Sequence, residues 1–252
     1  MKLLQLLLAS IRGILIIVTM LGVLLVYAIS RIVFKHTKES GLKLRRIWIT
    51  YFAYPILNIH TMVKGAPPTT GVLYIANHRS FADPIVISKF LNAFIIAKAE
   101  VASYPVINKG IEVTGIIYVK REDKNSRTSA RKAFVDVIKK GQNVLVYPEG
   151  TVSRTQKTLP FKKGTFYEAI KEDIAVVPIA LEYRDERDLW TIDNFVGQYL
   201  HQFGKWKTET KLTFGPILTA DNGEELTKKC QDWINTEITS MQHEWVDFEY
   251  EK

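Results

Sequence analysis

The sequence predicts an α/β fold: a single domain with a mainly parallel sheet flanked by helices, preceded by an N-terminal membrane-embedded helical segment. Three observations carry this reading. Through the middle of the 252 residues, short apolar runs alternate with helix-like stretches, which is the rhythm of βα units. Residues 13–30 form an eighteen-residue stretch without a charge, bounded by Arg12 and Arg31. Apolar residues make up 47% of the chain, enough for one substantial core plus an appendage.

The uncharged stretch comes first. At ~1.5 Å per residue it makes about 27 Å of helix, close to the ~30 Å hydrocarbon thickness, so it can just span a bilayer. A cleaved leader is a poorer account, because the run is long for an apolar signal core and no A-x-A site follows it. A basic stretch comes next (Arg31, Lys35, Lys38, Lys43, Arg45, Arg46), then IWITYFAYPILNI with Trp48, Tyr51, Phe52 and Tyr54. Aromatic rings beside cations suit the interface of an anionic membrane, while an apolar helix docked on the domain is the plainer reading of the same segment. One crossing plus a surface helix, or a hairpin dipping into one leaflet, both fit. More positive residues follow the span than precede it, which puts the main domain at the membrane's cytoplasmic face.

The α/β pattern then runs in order. VLYIA (72–76) reads as a buried strand; Asp83 reads as an N-cap and Pro84 as the first helical residue of a helix through PIVISKFL. AFIIA (93–97) is followed by a short segment at 101–109, and GIIYV (115–119) by a helix near 126–140. Ala130, Ala133, Phe134, Val137 and Ile138 make a core-facing stripe there, with Gly141 as the stop. VLVY (144–147) precedes a helix at 165–172; IAVVPIAL and TKLTF are further strands, and 221–242 is a polar terminal helix with a tail. The chain thus divides into a membrane anchor and interfacial helix (1–60), an α/β domain (61–220), and a C-terminal helix and tail (221–252).

Composition narrows the chemistry. The formal net charge of +8 is unevenly spread: +7 over residues 1–60, +7 over the middle and −6 over residues 221–252. Positive charge on the anchor and the central region suits a membrane surface and anionic substrates. No nucleic-acid motif accompanies it, so nucleic acid is not expected as a partner. Cys230 is the single cysteine, which leaves no intramolecular disulfide, CxxC site or redox pair and fits a reducing compartment. The five histidines lack metal-ligand spacing, and no Walker, GxGxxG or GxSxG turn is present, so neither metal nor cofactor is expected.

The most informative residues are NHRSFADP (77–84), where a strand's end meets a helix start. His78 and Asp83, five positions apart, can form a general base and its orienting acid from one turn, at the sheet edge where α/β folds hold ligands. A capping Asp83 and a satisfied loop His78 is the bland alternative. Ser80 is a further alternative, as a covalent acyl carrier, though a serine there is more often a turn-former.

NHRSFADP resembles the H-x4-D block of the glycerolipid acyltransferases, the group that includes the 1-acylglycerol-3-phosphate type. Three further blocks agree in order: GIIYVKR (115–121), YPEGT (147–151), similar to the block usually written F-P-E-G-T-R-S, and VVPIA (176–180). The resemblance covers roughly residues 72–181. It implies His78 and Asp83 as the catalytic pair, Arg121 at the acceptor phosphate, and Glu149, Gly150 and Thr151 in the acceptor site. Where the pattern has arginine after EGT this chain has Val152, so Arg154, Lys162 or Lys163 would supply that contact, or the acceptor would differ. Lys98 ends AFIIA and joins the list as a strand-end cation. Gly150 allows a tight loop whose amides could face an oxyanion or phosphate.

With these residues, the resemblance implies one expected function: transfer of an acyl chain from an acyl carrier protein or coenzyme A thioester to the free hydroxyl of a membrane lysophospholipid, most simply 1-acylglycerol 3-phosphate. Another lyso-lipid acceptor, such as a lyso-ornithine lipid, is the first alternative. A non-catalytic membrane-surface lipid-binding protein is the second.

Overall fold

The computed structural model describes residues 3–33, 35, 37–68, 71–99, 115–120, 122–243 and 245–250. The segment at 101–109 and Arg121 lie outside the described residues.

The first helix, α1 (Leu3–Val33), has 31 residues, so it runs on through Arg12 instead of starting after it. The reason is that Arg12 faces the protein. A second helix, α2 (Lys38–Trp48), starts from a capping box in which the Thr37 hydroxyl accepts from the Ser40 amide and the Ser40 hydroxyl accepts from the Thr37 amide. It continues through a π-helical stretch (Ile49–Ala53) into α3 (Tyr54–Leu57), which ends at Asn58 in the left-handed region. The aromatic segment divides its faces: Ile49, Ala53, Tyr54 and Leu57 are buried, while Tyr51 and Phe52 are exposed.

Strands and helices then alternate: β1 (Ile59–Lys64), β2 (Leu73–Ala76), α4 (Asp83–Ser88), β3 (Ala93–Lys98), β4 (Ile116–Val119), α5 (Lys124–Lys139), β5 (Asn143–Val146) and α6 (Gly164–Lys171). The chain finishes with β6 (Val176–Tyr183), α7 (Phe195–Phe203), β7 (Thr208–Phe214) and α8 (Gly223–Gln242). The seven strands lie in the order β1-β7-β6-β2-β5-β3-β4. Five of the neighbouring pairs are parallel and only β6 with β7 is antiparallel. The mainly parallel sheet flanked by helices is therefore present. Strand β1 and helix α7 were not foreseen.

Strand residues alternate between two core layers. Tyr74, Ala76, Leu145, Val177 and Ile179 pack with Ile49, Leu57, Val86, Ile87 and Phe203 on the side of α2 to α4 and α7. Leu73, Ile75, Phe94, Val144 and Val146 pack on the other side with Phe134 and Ile138 of α5, Phe166 of α6, and Leu226, Ile234 and Ile238 of α8. Each leucine, isoleucine, valine or phenylalanine among them contributes about 1.5–3 kcal/mol by leaving water. The stripe predicted for α5 buries Ala130, Phe134 and Ile138, and Gly141 follows it with φ +76°. Because β2, β5, β3 and β4 are parallel, their carboxyl ends share one edge of the sheet, and the residues just beyond them meet there.

Helix α1 lies against this body along part of its length. Ala9 and Arg12 are buried, and Gly13 faces the Tyr199 ring of α7 at 3.3 Å from where a side chain would begin. The Arg12 guanidinium donates to the carbonyls of Phe203 (2.9 Å), Lys205 (2.6 Å) and Trp206 (2.7 Å), just where α7 ends. Unpaired carbonyls at a helix C-terminus carry partial negative charge, which favours a cation there. Further along, Trp48 donates to the Thr19 hydroxyl. The outer surface keeps a continuous apolar face, including Leu7, Ile11, Ile14, Val18, Leu21 and Leu25. Among the described residues, this is the one helix long and apolar enough to cross a membrane.

Candidate active site

The strand β2 stops at Ala76 because the next residue turns its side chain into the ladder. Asn77 Nδ2 donates to the Leu181 carbonyl and Asn77 Oδ1 accepts from the Leu181 amide, both at 2.8 Å, so the amide group substitutes for a backbone pair and the main chain is free to leave the sheet. The next six residues fold around Asp83. Its Oδ2 receives His78 Nδ1 at 2.6 Å and the Arg79 amide at 2.7 Å, and its Oδ1 receives the Tyr183 hydroxyl at 2.8 Å. The Ser80 amide lies 3.1 Å from both oxygens.

Asp83 is fully buried, and a carboxylate is tolerated there only because donors surround it. This corrects one sequence expectation. Asp83 is the first helical residue and Ala82 the cap, so the carboxylate reaches back to the turn and not forward to the helix amides. With Nδ1 committed to Asp83, the Nε2 edge of His78 is the one available to a reacting group, and the side chain is 18% exposed. Tyr147 stacks on the imidazole, with ring centroids 4.3 Å apart and planes 23° from parallel.

The YPEGT turn holds the other side of this loop. Glu149 Oε1 accepts from the His78 amide and Oε2 from the Leu159 amide, each at 2.7 Å. Burial pushes the Glu149 carboxyl up to about 7, against the pull of those two amides and of Arg79. The Ser153 amide donates to the His78 carbonyl at 2.7 Å, so both main-chain polar groups of His78 are gripped by one turn. Gly150 sits at φ +76°, and its amide is spent on the Tyr147 carbonyl, closing the turn. The Lys162 side chain lies directly over Gly150, where any side chain would collide with it.

Arg79 lies beneath the loop, its side chain 1% exposed. It pairs with Glu182 at 3.1 Å and donates to the carbonyls of Thr155 and Gln156, while its face covers the Tyr250 ring. One guanidinium thus joins the loop, the turn after YPEGT, strand β6 and the C-terminal tail. Ser80 is also fully buried, with its hydroxyl donating to Gln202, which leaves it unsuited to carrying an acyl group.

Residues 59–182 match the family model described as Acyltransferase. A chloroplastic 1-acyl-sn-glycerol-3-phosphate acyltransferase of Arabidopsis thaliana is 32% identical over 139 residues, 54% of this chain and 39% of that protein. A 1-acyl-sn-glycerol-3-phosphate acyltransferase of Neisseria gonorrhoeae is 34% identical over 116 residues, 46% of each chain. Residues 59–182 are an acyltransferase-family domain. The chain spans less than half the length of these two curated relatives. The fold is also that of a solved 1-acyl-sn-glycerophosphate acyltransferase from Thermotoga maritima, with a TM-score of 0.66, 20% identity, and coverage of 95% of this chain and all of that one.

Within the acyltransferase domain, the remaining predicted residues scatter. Lys98 ends β3 at the same sheet edge, but it shares the strand face of Phe94 and Ile96, the α5 side, opposite to Tyr147. Thr151 is exposed at the rim. Arg154 Nε donates to the Trp190 carbonyl, which draws it toward the loop before α7. Lys163 pairs with Glu224 of α8, so of the two lysines Lys162 is the one at the turn. Sequence reasoning missed Asn77, Arg79, Tyr183 and Glu182. Asn77 and Arg79 lie inside the motif itself, and their polarity next to a buried strand was the available signal.

Proposed function

We propose that this chain is an O-acyltransferase that moves an acyl group from a thioester donor, of acyl carrier protein or coenzyme A, onto the free hydroxyl of 1-acylglycerol 3-phosphate. The observation that carries the reading is the 2.6 Å contact between His78 Nδ1 and a carboxylate fully buried among four donors. That contact holds Nδ1 as the N–H tautomer and leaves Nε2 as base. In the reaction, Nε2 takes the proton of the acceptor hydroxyl while its oxygen attacks the thioester carbonyl. The tetrahedral oxyanion collapses, the carbon–sulfur bond breaks, and the thiolate leaves with the proton from the imidazolium. Asp83 stabilises that imidazolium and stays ionised.

Glu149 acts in this scheme by positioning His78 through its main chain, with Gly150 and Thr151 forming the rim. Arg121 and Lys162 supply positive charge for the acceptor phosphate, with Arg154 and Lys98 in more distant supporting roles. Helix α1 embeds its outer apolar face in the bilayer, and the positive charge that follows it sets the domain on the cytoplasmic side.

The test is thiol release by detergent-purified protein given lysophosphatidate with each donor type. His78→Ala and Asp83→Asn are expected to lose about 10²–10⁴-fold in turnover while remaining folded and membrane-bound. Turnover close to wild type in either variant overturns the assignment.

A further inference from the structure

Helix α8 packs on the α5 and α6 side of the sheet, yet Phe248 and Tyr250, just past its end, pack against the opposite layer, which includes Tyr147 and Tyr183. The tail changes sides where β6 ends: the Asp247 amide donates to the Arg184 carbonyl at 2.9 Å, one residue beyond that strand. Because β6 runs parallel to β2, this is the edge at which the catalytic loop leaves the sheet.

Arg79 is what the tail meets there. Its amide and His78 Nδ1 donate to the same oxygen, Asp83 Oδ2, so a shift of Arg79 pulls on the atom that orients the imidazole. The Arg79 carbonyl accepts from the Trp190 amide at 3.3 Å. Its guanidinium donates to the Gln156 carbonyl at 2.9 Å and to Glu182 Oε2 at 3.1 Å. Gln242, the last residue of α8, donates to those same oxygens at 2.8 Å each. The Tyr250 ring lies over the guanidinium, 5.0 Å from its carbon to the ring centroid, and Phe248 packs edge-on against that ring at 4.8 Å. A buried cation keeps its place only while its acceptors stay and water stays out. An aromatic face over a desolvated guanidinium attracts the charge and closes it off from solvent.

We propose that Tyr250 is a positioning residue for the reaction: its ring, carried round the sheet edge by the C-terminal tail, holds the Arg79 guanidinium dry and in place, and through it the Asp83 oxygen that orients His78. The inference rests on the function proposed above. It puts a determinant of turnover outside residues 59–182, in a segment that touches no reacting atom.

The experiment compares wild type with Tyr250→Ala, Tyr250→Leu, Tyr250→Phe and Asp247→Ala in detergent. Tyr250→Ala should lower kcat about tenfold, the size of one cation–ring contact away from water, while the acceptor and thioester KM values hold. Tyr250→Leu keeps the place filled but has no ring face, so its kcat should fall with the thermal midpoint held. Tyr250→Phe keeps the ring and should restore turnover. Asp247→Ala removes only an exposed ion pair of the same tail with Arg184 and should match wild type. A merely structural role would lower the thermal midpoint and leave kcat intact well below it. Nitrogen–proton spectra of histidine-labelled protein give a readout that needs no turnover. The His78 Nδ1–H signal, assigned by its absence from His78→Gln, should broaden in Tyr250→Ala and stay sharp in Tyr250→Phe. An unchanged signal and unchanged kcat in Tyr250→Ala overturn the proposal, as does a loss in Tyr250→Phe equal to that in Tyr250→Ala or an effect confined to KM. A signal that broadens as expected, with no thiol release by wild type, would leave the hold on the loop standing and remove the proposed reaction instead.

Discussion

At the scale of single residues, the site is a problem of keeping one imidazole in one orientation. Asp83 fixes the ring from Nδ1, Tyr147 fixes its plane, and Glu149 fixes its main chain. Glu149 is the member whose charge state is in play, since burial brings its carboxyl from 4.5 up to about 7. An acid with a raised folded value binds its proton more tightly when folded. Its effect on stability is therefore absent below about 4.5 and becomes a full penalty above about 7. Glu149→Gln removes that dependence but offers one oxygen to two amides. Relative to Glu149→Gln, wild type should lose stability as pH rises from 4.5 through 7, measured by urea unfolding at several pH values. The same variant should lower kcat more than it raises the acceptor KM, because the carboxylate serves His78; the reverse split would make it an acceptor ligand.

At the scale of elements, α1 is fastened rather than tethered. Arg12 answers three carbonyls at the end of α7, and Gly13 leaves room for Tyr199. Arg12→Leu takes this donor from the Phe203 and Lys205 carbonyls, while Trp206 keeps the Asn58 amide, and is expected to cost about 2–4 kcal/mol in the α1–α7 junction. The measurement is limited proteolysis in detergent, where cleavage within α1 should accelerate while the sheet core resists. Unchanged cleavage would mean the bonds are dispensable. Arg12 also marks where sequence reading stopped short: a charge next to an apolar run looks like the end of a membrane segment, and only the distant α7 terminus, some 190 positions away, makes it an interior residue. The strands β2 to β6 and the His78–Asp83 pair were legible because their signals are local: apolar runs and a five-residue interval. Tyr183 on Asp83 and Glu182 under Arg79 depend on β6 lying beside β2, a contact across about 100 positions that no local spacing encodes. Strand β1 went unread, only Ile59 of it falling in the aromatic segment, because its residues are mostly exposed and carry no clean alternation.

At the scale of the whole molecule, apolar surface and positive charge sit together at one end of the chain. Leu7, Ile14, Val18, Leu21 and Leu25 of α1 are exposed, and net charge over the first 60 residues is +7. The two attractions differ in their response to salt: charge on a surface is screened over about 10 Å at 0.1 M, whereas apolar burial is not weakened by it. Protein bound to anionic vesicles should therefore stay bound at 1 M salt, and a chain with Val18, Leu21 and Leu25 changed to Ser should be released. Co-sedimentation with vesicles measures both. Release of the unaltered chain by salt alone would reduce α1 to an electrostatic contact.

The Asn77 clasp on Leu181 makes one amide proton a built-in reporter. That proton is interior to the sheet yet is kept from exchange by a side chain of the loop and by no neighbouring strand. Its deuterium uptake consequently clocks each excursion of the loop away from β6. A peptide spanning Leu181, followed by mass spectrometry in the presence and absence of lysolipid, would time the rearrangements around His78 with no label and no substitution near the chemistry.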